Sequence, residues 1–588
     1  MAVVLGVSNT AHDASAALFA DGELVSAIAE ERICRIKCIG GQIPQLAIEK
    51  VLEVAGLTRK DVDHIAMLHG YYPEEYLRRP APGTELLRKI KRTSRRLRGK
   101  ETERIWSEHV LREAMAHGLR FEDCFRYGSF LRNEGFRSDA RVTFYRHHAV
   151  HAWLAGYYSG LPERMVVTAD GYGDLDQVHT SNVYRNGALE TMAVSLGYGQ
   201  SAGMFYKAIT ELLGFRPMRH EGKVLGLAAF GDPAPLLGAF RKALRASEDG
   251  RTFVSDFGAS KAADAALHGY LASVIMGHPR ENVAAAAQQT LEDAFLTVVR
   301  TLAKDTGLRK IALNGGVAEN VKLNQRIATL PEIDEVFVFP GMSDTGNSVG
   351  TAILAIEETA PGFLARTQHP LRDVYLGPEY TDFQVEEALR GSGLVYEKLD
   401  QTTLVDRTAR AINEGWIVGW FHGRMEFGPR ALGSRSMIGR PTDAGINKSL
   451  NARLERTEFM PFAPSALYEY ADDLFVGAGK AKQAAEFMTI TFDVREKWHD
   501  RIPAVVHVDG TARPQLVRKD RNRLYYQVID RYRELSGIPL VLNTSFNVRE
   551  EPIVCAPPEA IRAVAEDRID ALAIGSFWVD NPKRGPFR

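Results

Sequence analysis

Residues 141–160, RVTFYRHHAVHAWLAGYYSG, decide how the rest of the chain is read. The β-branched and aromatic run Val142-Thr143-Phe144-Tyr145 predicts a strand entering a core, and the small and apolar residues after Arg146 predict a helix. On that helix His147 and His151 stand at i and i+4, one above the other on a single face, while His148 is rotated off it. By themselves such pairs more often describe a polar patch at a strand-to-helix junction than a metal site. The spacing becomes informative only if acidic residues elsewhere complete a ligand set.

Working outward, the same strand-then-turn pattern occurs twice. VVLGVSNTAHDASAALFADGELVSAIAEER (3–32) reads as a strand, a polar turn with His12, Asp13 and Ser15, a second strand, an Asp21-Gly22 hairpin and a third strand. MVVTADGYGDLDQVHTSNVYRNGALETMAVS (165–195) repeats this, with Asp170-Gly171 ending a strand and Asn186-Gly187 supplying the hairpin. Two such units predict a duplicated α/β fold whose loops face each other across a cleft. The stretches KIALNGG (310–316) and EVFVFPGMSDTGNSVGTAILAI (335–356) each read as a strand running into a glycine-containing loop that opens a helix. The first carries Asn314-Gly315-Gly316 and the second presents Asp344, and such loops let backbone N–H groups approach a phosphate.

A change of pattern near 370–383 predicts domains at 1–370 and 371–588. Within the second, HGRMEFGPRALGSRSMIGRP (422–441) sets Arg424, Arg430 and Arg435 among glycines and serine, a composition suited to polyphosphate. The insertion holding Arg88, Lys89, Lys91, Arg92, Arg95, Arg96, Arg98 and Lys100 reads as a solvated surface excursion, with a basic lid over an anionic acceptor as the functional alternative.

Composition sets the bounds. At 588 residues, more than one core is expected, and a net charge of -1 gives no general argument for nucleic acid or membrane partners. Four scattered cysteines form no CxxC pair, and no apolar run approaches bilayer length; a soluble, cytoplasmic protein is the expectation.

Taken together, GVSNTAHDASAAL, EERICRIK, HHAVHA, ADGYGD, HEGKVLGLAAFG, LNGGVAENVKLN, GMSDTGNSVGTA, GRMEFGPRALGSRS, TEFMPFAP and LNTSFNVREEPIV resemble the NodU/CmcH-type carbamoyltransferases over nearly the whole chain. The resemblance implies an N-terminal duplicated actin-like, sugar-kinase-like (Kae1-like) domain followed by a YrdC-like α/β domain. It implies that the second domain makes carbamoyl-adenylate from carbamoyl phosphate and ATP, with Mg²⁺ accompanying the ATP. The first would then pass the carbamoyl group to a hydroxyl of a sugar, aminoglycoside or other natural product beside a divalent metal.

The implied metal ligands are His147, His151, Asp170 and Asp344. A mixed N/O set of this kind suits Fe²⁺, Mn²⁺ or Zn²⁺, and the family analogy favours Fe²⁺. Arg424, Arg430 and Arg435 would stabilise phosphoryl charge, and His12 or His148 would take the acceptor's proton. Lys37, Asn314, Gly315, Gly316, Arg456, Asn543 and Ser545 would contact nucleotide or phosphate. Leu454 and Met460 stand where the family shows basic residues, with Arg453 and Arg456 as candidate substitutes. Arg549-Glu550-Glu551-Pro552 replaces a familiar Gly-Glu-Pro. A homodimer is among the expectations; nucleic acid and membrane partners are not. Two other classes fit the same half-folds: a tRNA threonylcarbamoyladenosine-type enzyme and a non-catalytic nucleotide-binding regulator.

Overall fold

The computed structural model describes residues 2–78, 104–260, 262–455, 460–548 and 550–587. The basic insertion at 88–100 and Arg456 therefore lie outside the described residues. The N-terminal half holds two five-stranded sheets of one topology. The first is built from β1 (Val3–Ser8), β2 (Ser15–Ala20), β3 (Glu23–Ala29), β4 (His64–Leu68) and β5 (Arg141–Tyr145), in the order β3-β2-β1-β4-β5. The second uses β6 (Glu163–Ala169), β7 (Gln177–Arg185), β8 (Ala188–Leu196), β9 (Lys310–Asn314) and β10 (Glu335–Val338), in the order β8-β7-β6-β9-β10. In each, three antiparallel strands precede two parallel ones. The two hairpins turn through left-handed residue pairs, Asp21-Gly22 and Asn186-Gly187, matching the twist of the strands they join. The expected actin-like duplication is thus present in strand order and direction.

Helices α1 (His147–Tyr158) and α2 (Asn347–Thr359) lie together in the core joining the two sheets. They cross closely because Gly350 has no side chain: a Cβ there would sit 2.5 Å from Val150 Cγ1. Ser15 Oγ donates to the Thr345 carbonyl at 2.7 Å, fixing the start of α2 against β2. The N-terminal end of α1, the lead-in to α2 and the end of β6 consequently converge.

The C-terminal half is built on a mixed eight-stranded sheet. Its strands are β11 (Tyr396–Lys398), β12 (Val418–Phe421), β13 (Arg435–Gly439), β14 (Ala463–Leu467), β15 (Gln515–Val517), β16 (Leu540–Ser545), β17 (Ala571–Ile574) and β18 (Phe577–Asp580), ordered β11-β18-β17-β12-β13-β16-β14-β15. One apolar core runs without a break from Val338 and Ile327 of the second N-terminal unit through Ile490 and Phe492 to Ile438 and Leu540 of this sheet. The connecting segment is stitched down on both sides. Leu371 N–H donates to the Tyr158 carbonyl at 2.8 Å, Leu376 accepts from Ala27 N–H at 3.1 Å, and Gly377 N–H donates to the Met425 carbonyl at 2.9 Å. Among the described residues, no helix is long and apolar enough to cross a membrane.

Candidate active site

The sequence places His147 at the first residue of α1, where the Asp174 carboxylate accepts its backbone N–H at 3.0 Å and satisfies an otherwise orphaned helix-terminal donor. One turn on, His151 points to the same spot. His147 Nε2 lies 3.5 Å from Asp170 Oδ2 and 3.4 Å from Asp344 Oδ1. His151 Nε2 lies 3.4 Å from each of the same two oxygens. All four side chains are buried, and their ligand atoms fall within 4.8 Å of one another.

This geometry fits a divalent cation. Ligands roughly 2.1 Å from a shared ion at tetrahedral angles are about 3.4 Å apart. His147 Nε2 is buried with no hydrogen-bond partner among the described residues, as a nitrogen reserved for an ion would be. The charge balance agrees. Burial opposes protonation of His147, yet Asp344, Asp170 and Asp174 raise its pKa to about 9. His12 behaves alike: burial opposes the charge, but Asp13, Asp344 and Asp170 lift its pKa to about 10. Neutralising Asp170 and Asp344 would remove much of the pull on His147, whereas Asp13 remains the larger pull on His12.

The Asn314-Gly315-Gly316 loop builds this cluster from behind. Asn314 Nδ2 donates to the His151 carbonyl at 2.9 Å, and Gly316 N–H donates to Asp170 Oδ2 at 3.0 Å. Gly315 has φ +92°, and a Cβ there would meet the Ala169 carbonyl oxygen at 2.2 Å. In this structure the loop orients a candidate metal ligand. Asn347, absent from the sequence-derived set, brings Nδ2 within 3.2 Å of both His151 Nε2 and Asp344 Oδ1.

The two proton-acceptor candidates part company. His12 Nδ1 bonds the Asp13 carboxylate at 3.0 Å, leaving Nε2 3.9 Å from Asp344 Oδ2 at the edge of the cluster, with the side chain 23 % exposed. His148 is placed against its expected role. It is fully buried, with Nδ1 2.8 Å from Thr168 Oγ1 and Nε2 3.1 Å from the Gln177 carbonyl. Burial, then His147 and His151, hold its pKa well below the usual histidine range. Rotated off the ligand face, it is a core histidine with both nitrogens occupied.

A second, different site opens where the halves meet. A cavity of about 280 Å³ is lined by Lys37, Arg219, His220 and Lys223 from the N-terminal half and by Arg430, Arg513, Asn543 and Ser545 from the C-terminal half. Arg430 Nε is buried with no hydrogen-bond partner among the described residues. Burial lowers its pKa, opposed by Glu319. A cation so placed is prepared for an incoming anion. Asn543 Nδ2 donates to the Ala431 carbonyl at 3.1 Å and Ser465 Oγ at 2.9 Å, holding the start of the NTSFN turn against the arginine loop.

Arg424 and Arg435 do not line this cavity. Arg424 donates to the carbonyls of Gly377 (3.1 Å), Val25 (2.8 Å) and Leu376 (2.7 Å), tying β3 and the connecting segment to the loop. Arg435, wholly buried, donates to His422, Gly423, Ser434 and Pro378 carbonyls, with its guanidinium carbon 3.7 Å from the Phe421 ring centre. Turns rich in glycine leave carbonyls without ladder partners, and these two arginines satisfy them.

Among the family departures, Met460 joins Pro461 and Phe462 on an apolar wall of the cavity. Leu454 is buried, and Arg453 is committed to Asp570 at 3.0 Å. Arg219 and Arg513 escaped the sequence reading because neither sits in a phosphate-binding pattern. Glu319 escaped it too. Burial raises its pKa to about 7 against the pull of Arg430, and it also feels Asp13, Glu221 and His12. It therefore stands electrostatically between the cavity and the histidine–carboxylate cluster.

Two family models cover the molecule: "Carbamoyltransferase N-terminus" matches residues 3–353 and "Carbamoyltransferase C-terminus" matches residues 409–581. The chain belongs to the carbamoyltransferase family. Nodulation protein NolNO of Sinorhizobium fredii is 31% identical over 98% of this chain and 80% of its own length. Nodulation protein NolO of Bradyrhizobium diazoefficiens is 32% identical over 74% of this chain and 78% of its own. Among solved structures, T. kodakarensis HypF is similar at 15% identity and a TM-score of 0.30, over 61% of this chain and 48% of that one.

Proposed function

We propose that this carbamoyltransferase is an ATP-dependent O-carbamoyltransferase that works at two sites. In the cavity between the halves, water splits carbamoyl phosphate into carbamate and phosphate, and the carbamate oxygen attacks the α-phosphate of ATP to give carbamoyl-adenylate and release pyrophosphate. The acceptor hydroxyl oxygen then attacks the carbamoyl carbon at the cluster formed by His147, His151, Asp170 and Asp344, and AMP leaves. The observation that carries this reading is the chemical difference between the sites: among the described residues, one is lined by five lysines and arginines, and the other is a buried histidine–carboxylate set.

In the cavity Arg430, Lys37, Arg219 and Lys223 offset the repulsion between two polyanions, while Asn543 and Ser545 add neutral hydrogen bonds. At the cluster, a divalent ion held by the four ligands would supply Lewis-acid polarisation of the carbamoyl or phosphoryl oxygen. His12 takes the acceptor's proton. Asp13 holds its Nδ1, so Nε2 is the nitrogen that faces the cluster, and it takes a proton there from the neutral form of the ring, which a cation offsetting Asp170 and Asp344 would favour. The acceptor is a sugar or other hydroxylated small molecule.

The test is pyrophosphate release from purified protein given ATP and carbamoyl phosphate, with no RNA present, followed by transfer of labelled carbamoyl to candidate hydroxylated acceptors. Release that requires carbamoyl phosphate, together with label in a small-molecule product, is the expected result. Release that requires tRNA would replace this reading.

A further inference from the structure

Among the described residues, the cavity between the halves is lined by one acid, Glu550. It belongs to the four-residue stretch that departs from the family pattern. Its backbone has φ +60°, the left-handed region that favours glycine, where the resemblance places Gly. A glutamate that adopts this conformation makes its contacts against a local conformational preference.

Those contacts are all to the opposite half. Glu550 Oε1 is 3.0 Å from His220 Nε2, and Oε2 is 3.5 Å from Arg219 Nη1 and 3.8 Å from Arg216 Nη1. Burial works against its charge, but His220, Lys37 and Arg219 hold the carboxyl below its usual range. Arg219 and His220 are 17% and 16% exposed and Glu550 is 38% exposed, so the pairs sit at the rim of the cavity, with the two cations on its inner side. The strap that carries Glu550 is anchored at its far end. Arg35 donates to the carbonyls of Pro552 and Ile553 at 2.7 Å each and pairs with Glu559 at 3.2 Å. Asn547 Nδ2 donates to the Glu551 carbonyl at 2.6 Å and closes the turn around it.

We infer that Glu550 is a specificity-determining residue: an internal anion that occupies Arg219 and His220 and so admits a ligand that brings several phosphate charges over one that brings a single phosphate. The inference rests on reading the cavity as a phosphate site. An extended polyphosphate reaches Arg430 and the remaining cations while also displacing the carboxylate from Arg219 and His220. A single phosphate must either leave those two cations to Glu550 or compete for them alone. Carboxylate and phosphate compete for the same donors, and like charges brought together in one pocket are mutually disfavoured.

The experiment is calorimetric titration of inorganic phosphate and of pyrophosphate into wild type, Glu550→Gln, Glu550→Gly and Arg430→Ala. Glu550→Gln keeps the bulk and removes the charge; Glu550→Gly restores the residue the backbone favours. Both are expected to bind inorganic phosphate roughly threefold to tenfold more tightly than wild type, with a smaller gain for pyrophosphate. The ratio of the two affinities therefore narrows, and the narrowing shrinks in about 0.5 M salt. If wild type binds phosphate through Arg430 but neither Glu550 variant binds it more tightly, the role assigned to Glu550 falls and the cavity reading stands. If Arg430→Ala binds phosphate as wild type does, the cavity reading falls and takes the inference with it.

Discussion

The two sites solve opposite electrostatic problems. At the cluster, two carboxylates and two imidazoles are buried within 4.8 Å of one another, and an excess of negative charge raises the pKa of His147 to about 9. In the cavity the excess is positive, and Arg430 is buried with Nε lacking a partner among the described residues. The first arrangement calls for a cation and the second for an anion. Their separation also differs in origin. The cluster is local to the convergence of α1, β6 and the lead-in to α2, whereas the cavity exists only where the two halves touch.

The largest test of this contrast divides the reaction. Arg430→Ala should remove carbamoyl-phosphate-dependent pyrophosphate release, a loss of roughly 3 kcal/mol or about 10²-fold or more. His147→Ala should retain release and lose transfer to the acceptor. Equal loss of release in both folded variants would merge the two sites into one. Next, His151→Ala should lower bound divalent metal by about 10-fold or more, measured by elemental analysis, while Arg430→Ala leaves it at the wild-type level.

A third test separates the arginines. Arg435→Lys should lower unfolding stability by roughly 2–3 kcal/mol, since a buried charged group loses several carbonyl bonds. Its KM for carbamoyl phosphate should remain near that of wild type. A raised KM with unchanged stability would return Arg435 to the cavity. The histidines supply a matching pair: His148→Asn should cost about 1–3 kcal/mol of stability with turnover retained, and His12→Gln should do the reverse.

The smallest expected effect concerns Glu319. Its folded pKa of about 7 lies above the ordinary carboxyl value, so the unfolded chain gives up its proton first. Stability therefore falls as pH rises from the carboxyl range to about 7 and levels off above it. Glu319→Gln should flatten that part of the Tm profile. An unchanged slope would show that Glu319 is not held in a protonated state between the two sites.

Much of the architecture was legible from local pattern. The i, i+4 spacing of His147 and His151 places both on one face of any helix, whatever packs against it. Asp-Gly and Asn-Gly between alternating strands specify their hairpins through φ alone. The same periodicity turns His148 away from the ligands, yet the buried Thr168 hydroxyl and Gln177 carbonyl that occupy it come from other strands and leave no mark near it in sequence. Asn314-Gly315-Gly316 looked like a phosphate loop because glycine permits close approach. What approaches is the carbonyl of Ala169 and the carboxylate of Asp170.

The sequence by itself determined the twice-repeated strand, turn and hairpin unit, the shared face of the two histidines and the density of arginine in residues 422–441. Only the tertiary structure decided which arginine faces an anion. Arg424, Arg430 and Arg435 lie within a few residues of one another, but Arg424 and Arg435 meet carbonyls from β3, the connecting segment and their own loop. Arg430 instead meets a cavity completed by Lys37, Arg219 and Asn543. A guanidinium's charge is fixed by its chemistry, whereas its partner is fixed by whichever acceptors the fold brings within about 3 Å. Those acceptors range from the loop itself to Pro378, 57 positions from Arg435, and Val25, 399 positions from Arg424, and no local pattern encodes which of them an arginine meets.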